Sequence, residues 1–221
     1  MKEYVKISLK CLFYIERTIL VAIVDYNMGN LASVFNACKL IGVEADIVSD
    51  PYKIKEYDRV ILPGVGAFKD AMENLKSTGM YEAITEFSKT GKPIIGICLG
   101  MQLLFESSEE FGLTKGLGLI PGKVVAFDKS RMDMDDHKVP HMGWNKIFHK
   151  ECVLFDGLEN PYLYFVHSFH VVTEKEYSIG TTHYGYDFTS AVQKDNIYGF
   201  QPHPEKSHDN GIQILKNFMK V

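Results

Sequence analysis

The sequence predicts an α/β fold with a doubly wound, mostly parallel sheet flanked by helices, extended by antiparallel strands in the second half. Three observations lead there. Apolar runs of β type alternate with helix-like segments over the first half, and such alternation builds parallel sheets. From 118 to 201 the pattern turns to β-rich stretches. One strand runs directly into Gly96-Ile97-Cys98-Leu99-Gly100 and then into Met101-Gln102-Leu103-Leu104-Phe105-Glu106. That turn sets a side chain at the carboxyl end of a strand, where open α/β sheets bind ligands.

The elements follow in order. Leu20-Val21-Ala22-Ile23-Val24 is a strand. Residues 30–40 form a helix with Gly42 past its end. Val43 to Val48 is a second strand, 59–62 a third and 93–97 a fourth, with helices over 68–76, 80–90 and 100–108. Lys123 to Phe127, Tyr162 to Phe169, Ser178 to His183 and Ser190 to Gln193 are β stretches expected to form the antiparallel additions. Gly211 to Val221 closes the chain as an amphipathic helix with Ile212, Leu215 and Phe218 on its packing face. Residues 20–221 read as one domain. The leader 1–19 has charges spread through it, so it is neither a signal peptide nor long enough in apolar residues to span a bilayer. The expected natural start lies near Leu20 or Val21, with 1–19 a start-site extension.

Composition narrows the class. The chain has 221 residues, 46% hydrophobic and 24% charged, with a net charge of −4, ordinary for a globular enzyme. A negative balance argues against a nucleic-acid-binding surface. Cys11, Cys38, Cys98 and Cys152 contain no Cys-x-x-Cys pair, so neither zinc nor a disulfide framework is expected. A reactive thiol suits a reducing cytoplasm. His137 and His141 are a weak metal pair because Pro140 breaks a helix between them, and Asp133-Met134-Asp135-Asp136 reads as a solvated loop. Asp25-Tyr26-Asn27-Met28-Gly29-Asn30 lacks the Gly-x-Gly-x-x-Gly spacing of a nucleotide loop.

The chemistry concentrates in three segments. The strand-Gly-x-Cys-x-Gly-helix pattern is a nucleophile elbow with cysteine in place of serine. It puts Cys98 at a helix N-terminus, where free N–H groups favour a thiolate. By itself the stretch also fits a buried core cysteine between glycines. Gln201-Pro202-His203-Pro204-Glu205 supplies the base that a cysteine nucleophile needs and the acceptor that orients the base. Each proline pushes its predecessor towards extended backbone, which would put His203 and Glu205 on one side of the segment. Pro63-Gly64-Val65-Gly66 follows the third strand, and its backbone N–H groups, with that of Leu99, suit an oxyanion hole.

With these motifs quoted, the chain resembles the class I (triad) glutamine amidotransferases from about Leu20 to Val221. Pro140-His141-Met142-Gly143-Trp144-Asn145, Tyr164-Phe165-Val166-His167-Ser168-Phe169 and His203-Pro204-Glu205-Lys206-Ser207 are similar to one branch, the glutaminase subunits of imidazole glycerol phosphate synthases. The resemblance implies a thioester mechanism. Cys98 attacks glutamine, His203 carries protons and Glu205 orients His203, with an oxyanion hole at Gly64, Val65 and Leu99. It implies that Gly66, Gln102, Glu110, Ser168 and Phe169 hold the substrate. Lys206, Trp144, His141 and Tyr164 would lie near the face that meets a cyclase partner, which is a separate (β/α)8 barrel, in a heterodimer. The cyclase would take the ammonia to make imidazole glycerol phosphate and an aminoimidazole carboxamide ribotide in histidine biosynthesis. No metal or organic cofactor is implied.

Pro202 departs from the family, which usually has an apolar aromatic there, and predicts a strand that ends one residue early. Three other readings stay open. They are a paralogous glutaminase subunit feeding another synthase such as one amidating surface sugars, a non-catalytic regulatory subunit, and another cysteine-elbow α/β protein.

Overall fold

The computed structural model describes residues 19–221; apart from Ile19, the leader that the sequence sets apart lies outside the described residues. Strands β1 (Leu20–Val24), β2 (Glu44–Val48), β3 (Arg59–Leu62) and β4 (Ile94–Ile97) alternate with helices α1 (Leu31–Leu40), α2 (Phe68–Ser77) and α3 (Met80–Ser88). β1 pairs in parallel with β2 and β3, and β3 with β4. The core strands are apolar on both sides because helices cover both faces. Val21, Ile23, Ile61, Ile95 and Ile97 turn to the side where Val34 and Cys38 of α1 pack. Ala22, Val24, Val60, Leu62 and Ile94 meet Phe68, Met72 and Leu75 of α2 and Ile84 and Phe87 of α3. Each such large side chain, once fully buried, contributes roughly 1.5–3 kcal/mol.

Local chemistry sets the ends. The Asn30 side chain accepts from the Ser33 amide at 3.4 Å and starts α1. Asp50 caps a 3-10 turn, Pro51–Glu56, through the Tyr52 amide at 3.0 Å. That turn has no counterpart in the elements expected from sequence.

Two expectations are corrected. The helix expected over 100–108 is α4 (Leu99–Leu103) followed by strand β5 (Phe105–Ser108). Its terminal carbonyls are taken by a crossing segment, not by the next turn: Leu117 donates to Leu103, and Leu119 and Ile120 donate to Leu104 at 2.8–3.0 Å. The expected strand Tyr162–Phe169 divides. The chain continues through β6 (Thr114–Lys115), β7 (Ile120–Ala126), β8 (His141–Lys146), β9 (Phe148–His149), β10 (Tyr162–His167) and β11 (Phe169–Val172). Among the described residues β10 pairs with β8 alone, as a two-stranded ribbon, whereas β11 sits in the main sheet beside β7. The remaining strands are β12 (Ser178–Tyr184), β13 (Tyr186–Lys194) and β14 (Ile197–Phe200). β14 falls outside the β stretches named from the sequence. It is fully buried, runs parallel to β4 and antiparallel to β13, and so joins the two halves of the sheet.

The last helix, α5 (His208–Phe218), begins three residues before the expected Gly211. It buries Ile214, Leu215 and Phe218, while Ile212 is only half-buried. Arg59 latches its end by donating to the carbonyls of Phe218, Met219 and Val221, a cation at a helix C-terminus. The order across the sheet is β2-β1-β3-β4-β14-β13-β11-β7-β5-β6, with β12 and β9 branching from β13. Among the described residues no helix is long and apolar enough to cross a membrane.

Candidate active site

Cys98 follows β4 at the centre of the sheet with φ 55° and ψ −112°. A non-glycine residue in this region costs on the order of 1–3 kcal/mol and persists only where its surroundings over-determine it. The surroundings do so. Its N–H donates to the Phe200 carbonyl at 2.7 Å, and its own carbonyl accepts from the Gln102 amide at 3.2 Å. The flanking glycines are steric necessities: a Cβ on Gly96 would stand 2.5 Å from the Gly100 carbonyl oxygen, and one on Gly100 would overlap the Leu62 carbonyl of β3. A helix of five residues follows, so the side chain sits at a helix start, as expected from the sequence.

His203 comes from the chain just past β14. Pro202 is buried, and the ladder ends at Phe200, with the Gln201 amide still donating to Ser190 at 2.9 Å. The His203 amide donates to the Tyr164 carbonyl at 2.9 Å. Ser207 clamps the other side, its hydroxyl donating to the His203 carbonyl at 2.6 Å and accepting from the Tyr164 amide at 2.9 Å. Glu205 reaches back to His203 Nδ1 at 2.7 Å with both side chains almost wholly buried. The approach differs from the extended segment expected: Pro204–Lys206 is a 3-10 turn, and its curvature returns the carboxylate to the ring.

Electrostatics tie the three groups together. Burial opposes a charge on His203, but Cys98 and then Glu205 outweigh it and raise the imidazole from 6.5 to about 10. Nε2 is buried with no hydrogen-bond partner among the described residues, which leaves it as the ring nitrogen available to exchange a proton with Cys98. A charged imidazolium beside a cysteine is the arrangement that yields a reactive thiolate.

Cys98 and His203 open on a cavity of about 310 Å³, the low end for small-molecule sites. Val65, Gly66, Leu99, Gln102, Glu110, Ser168 and Phe169 also line it, so nearly all of the expected oxyanion and substrate residues converge there from four separate segments. Gly64 lies just behind, in a small cleft bordered by His203 and Glu205. Among the described residues no protein acceptor takes the N–H of Gly64 or Val65. Glu110 accepts from the Phe68 amide at 2.7 Å and so caps α2 at the cavity edge.

The expected partner residues separate. Trp144 is 42% exposed, stacks on His208 at 5.1 Å and meets the edge of Tyr164; Lys206 is exposed. His141 is corrected: it is buried between Phe165 and Tyr184 and bonded to His167 Nε2 at 3.0 Å, so its ring does not reach the surface. Asp133 is spent on a turn, accepting from the amides of Asp135 and His137. No cluster of three His, Cys, Asp or Glu among the described residues has metal-binding geometry.

Sequence reasoning missed several contributors. Val166 and His167 line the cavity, Gln201 contacts the Cys98 sulfur, and Tyr26 donates to the Pro63 carbonyl at 2.9 Å from a wholly buried position. The adjacency of Gln201 to the base-bearing segment was the available signal for that residue. Tyr26 had none, because its partner lies 37 residues away.

The class I glutamine amidotransferase family model matches residues 22–221. The chain is 66% identical to the imidazole glycerol phosphate synthase subunit HisH of Sulfurimonas denitrificans over 91% of this chain and 98% of that protein. It is 57% identical to the subunit of the same name from Wolinella succinogenes, over 91% and 100%. Among solved structures it resembles PurLQS from Thermotoga maritima (TM-score 0.71, 18% identity, 92% of this chain and 98% of that one). It also resembles a glutamine amidotransferase from the same organism (TM-score 0.61, 15% identity, 91% and 83%). These last two likenesses speak to the fold.

Proposed function

The chain belongs to the class I glutamine amidotransferase family, and from that premise we propose a partner-dependent glutaminase whose chemistry runs through Cys98, His203 and Glu205. It is the glutaminase subunit of imidazole glycerol phosphate synthase in histidine biosynthesis, in keeping with relatives of that name at up to 66% identity.

In the proposed mechanism the Cys98 thiolate attacks the side-chain carbonyl of glutamine in the cavity. The oxyanion meets the amides of Leu99 and of Gly64 or Val65. His203, charged and held by Glu205, protonates the leaving amine, and ammonia departs to leave a glutamyl thioester. The neutral imidazole then takes a proton from water, which attacks the thioester; glutamate leaves and the thiolate is restored. Gly66, Gln102, Glu110, Ser168 and Phe169 are assigned to substrate binding. The observation that carries the reading is His203, placed between Cys98 and the 2.7 Å Glu205 contact at the mouth of a cavity sized for one amino acid.

The partner is proposed to be the (β/α)8 cyclase subunit, docked on the outer face of the β8–β10 ribbon in a cytoplasmic heterodimer. Met142, Trp144 and Tyr162 are 62%, 42% and 53% exposed there, an aromatic patch of the kind enriched in interfaces. Tyr164 and Lys206 lie beside it. The ribbon also borders the cavity through Val166, giving ammonia a short path to a partner seated on it. Glutamate release, with mass analysis of the Cys98 peptide for the glutamyl adduct, tests the chemistry. A wild-type enzyme that turns over glutamine while a Cys98→Ser form keeps its rate would refute it.

A further inference from the structure

Behind the nucleophile runs a hydrogen-bond chain whose polarity is set by one backbone carbonyl. The Phe169 carbonyl accepts from His167 Nδ1 at 2.7 Å and from Gln102 Nε2 at 3.1 Å. A carbonyl only accepts, so the nitrogen of Gln102 faces it and His167 carries its proton on Nδ1. His167 Nε2 is then the acceptor for His141 Nδ1 at 3.0 Å. Burial first, and then His141, hold His167 neutral well below the usual histidine range.

The second N–H of Gln102 donates to Gln201 Oε1 at 3.0 Å. With its oxygen committed, Gln201 must present its amide nitrogen to Cys98, and Nε2 stands 3.8 Å from Sγ. Turning the Gln201 amide over would set two NH2 groups against each other. Turning both amides over would set the Gln102 oxygen against the Phe169 carbonyl. Gln201 is 0% exposed and Gln102 5%, so water does not compete for these bonds.

We infer that Gln201 is a built-in donor to the Cys98 thiolate, aimed by the chain Phe169 carbonyl–Gln102–Gln201. The inference rests on reading Cys98 as the nucleophile. Two groups contact the sulfur with opposite preferences. The Val166 carbonyl, 3.9 Å away, can only accept and so favours the thiol. The Gln201 N–H favours the anion, because a bond to a charged acceptor is roughly twice as strong as one to a neutral acceptor. Deprotonation therefore weakens the first contact and strengthens the second.

The test is alkylation of the full chain by iodoacetamide across a pH range without glutamine, following the Cys98 peptide by mass spectrometry. Gln201→Met, Gln201→Glu and Gln102→Leu are compared with wild type; the last leaves Gln201 in place but unaimed. At neutral pH, Cys98 labelling should slow about tenfold in Gln201→Met, the worth of a hydrogen bond to a charged group, and further in Gln201→Glu. All three pH profiles should move to the alkaline side while half-buried Cys152 labels as in wild type. Unmoved Cys98 profiles in all three variants would overturn the inference. Alkylated wild type that still hydrolysed glutamine would instead refute Cys98 as nucleophile. Alkylated wild type without activity, together with unmoved variants, would refute Gln201 alone.

Discussion

Cys98 is pinned by its backbone bonds to Phe200 and Gln102 and by two glycines that admit no side chain, whereas Val65, across the same cavity, is 41% exposed and its amide has no protein acceptor among the described residues. One wall carries strained backbone that the core enforces. The other is a loop tied at its start by the Tyr26 hydroxyl on the Pro63 carbonyl and exposed at Val65 and Gly66. The nucleophile wall is braced on both sides of Cys98; the oxyanion wall is the part we propose a partner sets. Conformational steps of this kind control turnover in many enzymes.

The comparison breaks most severely at Cys98. Cys98→Ala should lower glutamine hydrolysis by about 10⁴-fold or more while leaving the melting temperature near wild type, measured by glutamate release beside thermal unfolding. Retained activity would empty the rigid wall of its role.

Glu205→Gln is the next largest. Loss of the group that orients the base should cost about 10²–10⁴-fold in turnover. It also has a pH signature. His203 is raised from 6.5 to about 10 in the fold, against burial, by Cys98 and Glu205. A base raised in this way adds stability that is whole below pH 6.5 and is lost as pH rises towards 10. The wild-type melting temperature should therefore fall across that window, and the fall should be shallower in Glu205→Gln. Parallel curves for the two proteins would show that Glu205 does not hold the charge.

Trp144→Ala tests the partner side. Truncating an exposed aromatic at the centre of an interface costs about 2 kcal/mol, so association with the cyclase should weaken roughly 30-fold with the fold unchanged, as read by titration calorimetry. Unaltered affinity would move the docking surface off the ribbon.

Tyr26→Phe has the smallest effect and sharpens the contrast between the walls. It removes one buried hydrogen bond, worth about 1 kcal/mol, or about 3 °C in melting temperature for a chain of this size. Turnover should change far less than in Glu205→Gln. A loss as large would mean that the oxyanion loop is as rigidly specified as the elbow.

The two walls were also unequally legible in the sequence. The elbow could be read because its constraint is local: Gly96, Cys98 and Gly100 sit on one turn, and a single apolar strand precedes them. The parallel half was legible for the same reason, through short apolar runs and the Gly42 stop after the first helix. Misreadings arose where distant segments decide. Nothing within 100–108 announces that Leu117, Leu119 and Ile120 will claim the carbonyls of Leu103 and Leu104 and end the helix. β14 is not among the stretches named from the sequence, and its parallel partner, β4, lies about a hundred residues earlier. His141 sits in the same strand as Trp144, but at the register that points inward, opposite His167. The amides of Gln102 and Gln201 form one unit only after the sheet has brought them together.

Glutamate release from glutamine, by the purified chain alone and with the cyclase partner and its nucleotide substrate, tests the central claim most directly. A finished triad facing an unset oxyanion wall predicts slow turnover alone and strong stimulation by the pair, at least tenfold on the scale of one lost oxyanion donor, which costs about 10²–10³. Full turnover by the isolated chain would contradict it.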